Sequence, residues 1–569
     1  MLPSVEACRA AVAAKDARFD GVFFSAVTTT GIFCRPSCPA MPKLDNLRFY
    51  PSAAAAIDAG FRACRRCRPD ATPGSPEWDQ RADIAARTLK LLTDGAVDRE
   101  GVPGLAARVG YSERQLERII RAEFGAGPLA LARAQRATTA RTLIETTDLP
   151  FADIAFAAGF GSIRAFNDAV RATFAATPTE LRARRRPLRP DDQTRLSSLP
   201  SPRGGTRPPS TPPPDDGTHL PSLPSPHGGT HLPSEAGAGE LAAPGGWRPP
   251  AVVTVRLAVR QPYAPEQSFA HLAVTAVPGV EEWTGTHYRR TLRLPHGPGI
   301  VAARPHADHV EATFTLTDLR DLQAAVARTR RMLDLDADPV AVAEHLRRNP
   351  LLAAAVDAVP GRRVPRSADG EEMALRAVLG QQVSTAAART FAARLVARFG
   401  QPLPGNVGHV GGHGHGGHTH GTLTHLFPRA SDLAEAEIRV MPAGRAATFR
   451  RLAAELADGL DLGPGADRAE VRERLVALPG IGPWTVELVA MRALGDPDAF
   501  PATDLGVIRG AQALGVVGGG ASAGASARTS RNARLLEAAE AWRPWRAYAV
   551  QYLWAAHEHP TNALPAPYN

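Results

Sequence analysis

Four cysteines, Cys34, Cys38, Cys64 and Cys67, fall in a C-x3-C … C-x2-C pattern with 25 residues between the pairs, and no cysteine follows Cys67. Two close pairs joined by a loop can wrap one tetrahedral ion, and four soft thiolates select zinc. On spacing alone this reads as a structural zinc site. Cys8 lies outside the pattern and is expected to be an unliganded thiol. Far downstream, Asp504 stands 24 residues past Gly480 in Leu478-Pro479-Gly480-Ile481-Gly482. Such glycines permit a tight turn whose backbone N–H groups and following helix terminus face a phosphate without side-chain charge. Asp504 itself precedes the helical stretch Leu505–Arg509, so its plainest reading is an N-cap. The same placement suits stabilising positive charge or activating water more than donating a proton. A third cluster, His409, His413, His415, His418 and His420, lies in a Gly/His stretch; clustered histidines can bind a transition metal, but without interleaved carboxylates or cysteines the favoured reading is a low-complexity insertion.

The elements that position these groups must come from several domains, because 569 residues are too many for one core and predict three or four. The net charge is +9, and residues 1–190 alone carry 28 Lys/Arg against 20 Asp/Glu. A polyanion partner is expected, with nucleic acid ahead of a membrane because no basic amphipathic or lipidation signal accompanies the charge. No run of 18 apolar residues appears. The early segment 6–18 is charged and lacks an apolar signal-peptide core, so a reducing cytoplasm, in association with the nucleoid, is the expected location. There a metal site is favoured over disulfides.

Between Pro187 and Gly246 there is no aromatic residue and Pro, Ser and Gly dominate, which predicts a disordered linker. Leu199–Thr206 returns almost unchanged as Leu223–Thr230, as expected of slippage in low-complexity sequence. A flexible chain of this length spans roughly 40 Å, so two halves can act on neighbouring DNA sites while tethered. Residues 79–186 have a helical pattern containing two helix-turn-helix-like stretches, Gly104 to Phe124 and Phe151 to Phe174. In each, a short apolar helix reaches a glycine, Gly110 or Gly159, then a serine, Ser112 or Ser162, suited to cap the next helix. Arg114, Gln115 and Arg118 in one copy, and Arg164 and Asn167 in the other, would reach base edges or phosphates from the major groove. From residue 251 to about 320 β-like runs such as Val252–Val259 predict a small α+β unit, and helical sequence follows.

The cysteine segments, Thr29–Ala40 and Ala59–Pro69, resemble the amino-terminal domain of the Ada DNA-repair and response proteins. The resemblance implies that Cys34, Cys38, Cys64 and Cys67 hold zinc, and that Cys34 accepts a methyl group from a methylated DNA phosphate. Four thiolates on one zinc carry a net local charge of about −2, which keeps a bound sulfur nucleophilic and lets an uncharged phosphotriester approach. Methylation reduces that charge, and Arg35, Arg62, Arg65, Arg66 and Arg68 would then hold ordinary DNA more tightly. The paired helix-turn-helix stretches, followed by Thr177-Pro178 and Leu181-Arg182, resemble the AraC-type DNA-binding domain that Ada proteins also carry.

The stretches Ala374–Ser384, Ala477–Thr485 and Phe500–Gly506 resemble the helix-hairpin-helix base-excision glycosylases, most closely the AlkA-type methylpurine glycosylases. The resemblance implies Asp504 as the catalytic aspartate and Gly480 and Gly482 as phosphate-facing positions. Gln382 matches the residue that fills the vacated stack, although AlkA itself has an apolar side chain there. Where lyase members place a Schiff-base lysine, this chain has Trp484, so a monofunctional hydrolase requiring no cofactor is expected. A cationic alkylated purine, extruded from the duplex, would be held by aromatic faces, with Trp484, Trp554 and Tyr288 as candidates. The absence of cysteine after Cys67 implies neither an iron-sulfur cluster nor a cysteine-dependent methylguanine transferase domain.

The expected protein is multidomain and mainly α with α+β parts. It comprises a zinc-binding methylphosphotriester acceptor domain (1–76), an all-α AraC-type double helix-turn-helix (79–186) and a disordered linker (187–246). An AlkA-like α+β subdomain (247–345) and an all-α helix-hairpin-helix glycosylase domain (346–569) follow, the latter with insertions at 405–421 and 515–527. Expected partners are double-stranded DNA, both alkylated and promoter, and RNA polymerase; the chain is expected to be a monomer. The rival readings are a regulator and damage sensor whose glycosylase half is inactive, and a repair enzyme whose front half only anchors it to DNA.

Overall fold

The computed structural model describes residues 4–15, 19, 23–38, 40, 42–51, 53–64, 67, 69, 80–184, 250–404, 422–518, 525–557 and 564. The expected linker, the histidine insertion and Arg65, Arg66 and Arg68 lie outside them, as do residues 519–524 of the Gly/Ala/Ser insertion. Residues 1–183 and 250–569 belong to one unit.

At the front, strands Leu47–Tyr50, Phe24–Val27, Ile32–Cys34 and Arg62–Ala63 lie side by side in that order. The first three pair antiparallel, whereas Ile32–Cys34 and Arg62–Ala63 run parallel, with Ile32 opposite Arg62 and Phe33 opposite Ala63. Helix Val5–Ala14 is capped by Ser4 and buries Cys8 among Ala11, Val12, Phe23 and Leu47. Burial raises the Cys8 thiol above its ordinary range, as suits an inert core cysteine.

The helical segment begins with Gln80–Thr93 and Ala96–Arg108, and the 19-residue helix Pro128–Thr146 stands between the two helix-turn-helix pairs. Helix Glu113–Phe124 starts at Ser112, whose hydroxyl accepts from Gln115 N while the Gln115 side chain returns to Ser112. Helix Ile163–Phe174 starts at Ser162 in the same manner, accepting from Ala165 N at 3.1 Å. Gly110 and Gly159 both turn the chain with positive φ.

A five-stranded antiparallel sheet follows, ordered Ala251–Ala258, His309–Leu316, Pro298–Pro305, Tyr288–Arg293, Glu281–Trp283. Helices Pro265–Thr275 and Leu322–Met332 pack on it. The remaining described chain is helical around a core that includes Phe449, Leu475, Val489, Val507, Trp542 and Tyr552. No helix among the described residues is long and apolar enough to cross a membrane.

The two halves are not joined by a tether alone. Ala140, Leu143 and Ile144 of the helix-turn-helix segment share one apolar cluster with Val253 and Leu257 of the sheet. Asp94, at the end of the first helix, accepts from Arg99 at 3.1 Å and lies 3.6 and 3.3 Å from Arg328 and Arg331 of the sheet unit. Gln323 donates to the carbonyls of Leu92 and Thr93, both at 3.0 Å. Arg87 reaches further, to Gly465 O at 2.7 Å and Asp467 at 3.4 Å. Besides the expected linker, the halves are docked, because apolar area and a buried carboxylate are shared across the junction.

Candidate active site and metal centre

The parallel ladder explains how two distant cysteine pairs meet. Cys64 N donates to Phe33 O at 3.0 Å, so Cys34 and Cys64 leave adjacent strands side by side. A tight turn closed by Cys38 N to Arg35 O at 3.1 Å folds Cys38 back. Sulfur atoms of Cys34, Cys38, Cys64 and Cys67 all lie within 4.8 Å of one another. A tetrahedron with metal–sulfur bonds of about 2.3 Å has edges of roughly 3.8 Å, so the donor set fits zinc. The crowding splits their ionisation: the hydrogen bond with Cys34 holds Cys38 below its ordinary range, while the one with Cys38 raises Cys34 above its own. Cys34, Cys38 and Cys67 are buried and Cys64 is the more exposed of the four. Arg35 is only 8 % exposed and is packed beside the cluster, not offered to DNA as expected; Arg62 is exposed.

On helices Glu113–Phe124 and Ile163–Phe174, Arg114, Gln115, Arg118 and Arg164 are exposed and Asn167 is half-buried. Gln115 is also the partner of the Ser112 cap, and Arg164 has Asp168 at 4.0 Å.

In the second half, helices Arg468–Ala477 and Pro483–Arg492 flank the glycine turn. Gly480 has φ +90°, a conformation side chains rarely adopt, and a Cβ there would collide with the Thr448 hydroxyl. Gln381, a residue the sequence reading passed over, ties the next loop to this turn by donating to Gly480 O at 3.1 Å and Thr485 Oγ1 at 3.0 Å. Its neighbour Gln382 has φ +57°, a left-handed backbone that costs a non-glycine residue about 1–2 kcal/mol. Such strain, held by surrounding bonds, collects at functional loops.

Asp504 caps helix Leu505–Ala513, with Oδ1 accepting from Val507 N at 2.9 Å. The indole N–H of Trp554 donates to the same oxygen and that of Trp484 to Oδ2, each at 3.0 Å. Helix Arg546–Ala555 can bring Trp554 this close because Gly510 has no side chain; a Cβ there would overlap the Leu553 backbone. Asp504, Trp484, Trp554, Gln382, Gly480 and Gly482 all line one cavity of about 1030 Å³.

Tyr288 does not line that cavity and is withdrawn as a base-pocket residue. It is fully buried, and its hydroxyl donates to Glu281 at 2.6 Å. Burial alone would raise Glu281, but Arg376 at 2.9 Å and Arg290 at 3.2 Å hold it below the usual carboxylate range. Arg290 and Arg376 also bridge to Glu372, at 2.7 and 2.8 Å, so this network pins the sheet to helix Gly370–Leu379 beneath the cavity.

Three families match segments of the chain: the metal binding domain of Ada at residues 7–70, a helix-turn-helix domain at 105–184 and the AlkA N-terminal domain at 254–369. The probable bifunctional transcriptional activator/DNA repair enzyme AlkA of Mycobacterium tuberculosis is 50 % identical over 564 residues, 98 % of each chain. The chain belongs to this Ada–AlkA fusion family. Two relatives from Escherichia coli K12 each match one part of the fusion. The bifunctional transcriptional activator/DNA repair enzyme Ada is 39 % identical over 131 residues, 23 % of this chain and 36 % of that one. DNA-3-methyladenine glycosylase 2 is 27 % identical over 303 residues, 52 % of this chain and 94 % of that one. The cysteine cluster of the fusion, matched by the Ada metal-binding family, is a zinc site.

Proposed function

We propose that the chain excises alkylated purines from DNA by hydrolysis at Asp504, and that its front half takes methyl groups from DNA phosphotriesters at Cys34 and regulates transcription. The observation that carries the enzymatic reading is the Asp504 carboxylate, oriented by three donors in the wall of a purine-sized or larger cavity beside a helix-hairpin-helix turn.

An N-alkylated purine is cationic, so breaking its bond to the sugar C1′ returns the electron pair to the base and releases it neutral. Positive charge then passes to the sugar, where the Asp504 carboxylate stabilises it. A water oxygen bonds to C1′ and its proton goes to the carboxylate or to solvent. The indole donors leave Asp504 no freedom to turn away, so the charge meets a fixed partner. No amine is required, in keeping with Trp484 at the hairpin. Purified protein should release 3-methyladenine from methylated duplex, and Asp504→Asn should lower the single-turnover rate by at least about 100-fold. Equal rates in both proteins would defeat the mechanism.

Zinc, when bound, keeps the Cys34 sulfur a thiolate at neutral pH. Cys34 Sγ would bond the methyl carbon of the phosphotriester as the carbon–oxygen bond breaks, and an ordinary phosphodiester anion leaves. The thiolate is consumed in the act, which fits a sensor of damage. Mass spectrometry after exposure to methylphosphotriester DNA should locate one methyl on Cys34; a methyl on the more exposed Cys64, or none, would overturn the assignment.

A further inference from the structure

We infer that His271 and Arg492 read the edge of the extruded base farthest from the sugar and favour alkylated guanine over alkylated adenine. This rests on the glycosylase reading above and names what sets its specificity. A continuous series of contacts leads away from the reacting centre. Trp554 donates to Asp504 Oδ1, and its ring stacks on His271 with centroids 6.0 Å apart and planes inclined by 18°. His271 Nε2 in turn is hydrogen-bonded to Arg492 Nη1. All four residues line the same cavity. With the sugar carbon at Asp504, a base lying along the Trp554 side of the cavity extends toward the His271–Arg492 pair.

The chemistry at that end is unusual. Arg492 is 8 % exposed, and among the described residues no carboxylate pairs with it and its Nε has no hydrogen-bond partner. Its neighbours are provided for: Arg290 and Arg376 with Glu281 and Glu372, and Arg366 with Asp334 at 2.7 Å. Burial, with the Arg376 guanidinium adding to it, pushes Arg492 down to about 9. A buried cation with no carboxylate in direct contact, only the more distant Glu281, is costly, and an acceptor arriving with the ligand offsets that cost. A guanidinium offers donors only. The far edge of guanine presents a carbonyl oxygen, the negative end of an N7-alkylated base, whereas adenine presents an amino donor at the same place. Sites that hydrogen-bond one such group discriminate strongly against an analogue that cannot.

The test is a single-turnover assay on methylated duplex carrying both lesions, reading the ratio of 7-methylguanine to 3-methyladenine release for the full chain and its variants. Arg492→Met should lower the ratio roughly ten-fold, the effect of one charged hydrogen bond. His271→Phe, which keeps an aromatic ring against Trp554 but ends the contact with Arg492, should lower it as well, so a poorly folded Arg492 variant does not leave the question open. Release of both bases with an unchanged ratio in the folded variants overturns the inference alone. If the unaltered protein releases neither base, the glycosylase reading fails and takes this inference with it.

Discussion

Asp504 illustrates how much of a carboxylate's character is set by its neighbours. The carboxylate type, the helix start after it and its distance from the glycine turn are legible in the chain, and so are Trp484 and Trp554 as aromatic candidates. Their role is not: Trp554 is 50 residues from Asp504, and nothing local announces that the indoles point N–H groups at its oxygens. Stacking and donation make different predictions. Trp554→Phe retains an aromatic face and loses only the donor, so a stacking role predicts little change. A role in orienting the carboxylate predicts about a ten-fold or greater fall in the single-turnover rate of base release, with a smaller effect on substrate affinity, as measured by rates across a range of enzyme concentrations. Tyr288 errs in the other direction. Its type suits a base pocket, yet strand alternation buries it against Glu281.

At the scale of elements, the legible features are those written in a few adjacent residues. Ser112 and Ser162 cap their helices, Gly110 and Gly159 make the turns before them, and Gly480 adopts the left-handed backbone its motif requires. The four cysteines are equally plain, because metal spacing is a local signal. What brings the two pairs together, a two-residue parallel ladder between Ile32–Cys34 and Arg62–Ala63, is not. Pairing partners so far apart in sequence are chosen by packing and not by propensity. Thr448 beneath Gly480, and Gln381 bound to the same turn, are likewise visible only once the helices have assembled. Arg35 carries the opposite lesson: a basic residue in a DNA-seeking module can still be turned inward by its place next to a buried cysteine.

For the whole molecule, the junction at Asp94 decides how the reader of DNA and the cleft that acts on it move. Linker composition suggests tethered halves, and the residues that dock them look in sequence like any solvated Asp and Arg. Removing the carboxylate in Asp94→Ala leaves Arg328 and Arg331 without their shared partner and should weaken the junction by about 3 kcal/mol. Hydrogen exchange should then quicken in Gln80–Thr93 and Leu322–Met332 while Arg546–Ala555 keeps its protection; unchanged exchange at the junction would show that the apolar contacts alone hold it. A docked pair also has a rotational setting. A rigidly mounted reader fixes which side of the double helix its companion cleft looks toward, and that side recurs only once per turn, about every 10.5 base pairs. For a lesion near a bound promoter, angular position around the duplex then counts for as much as distance along it.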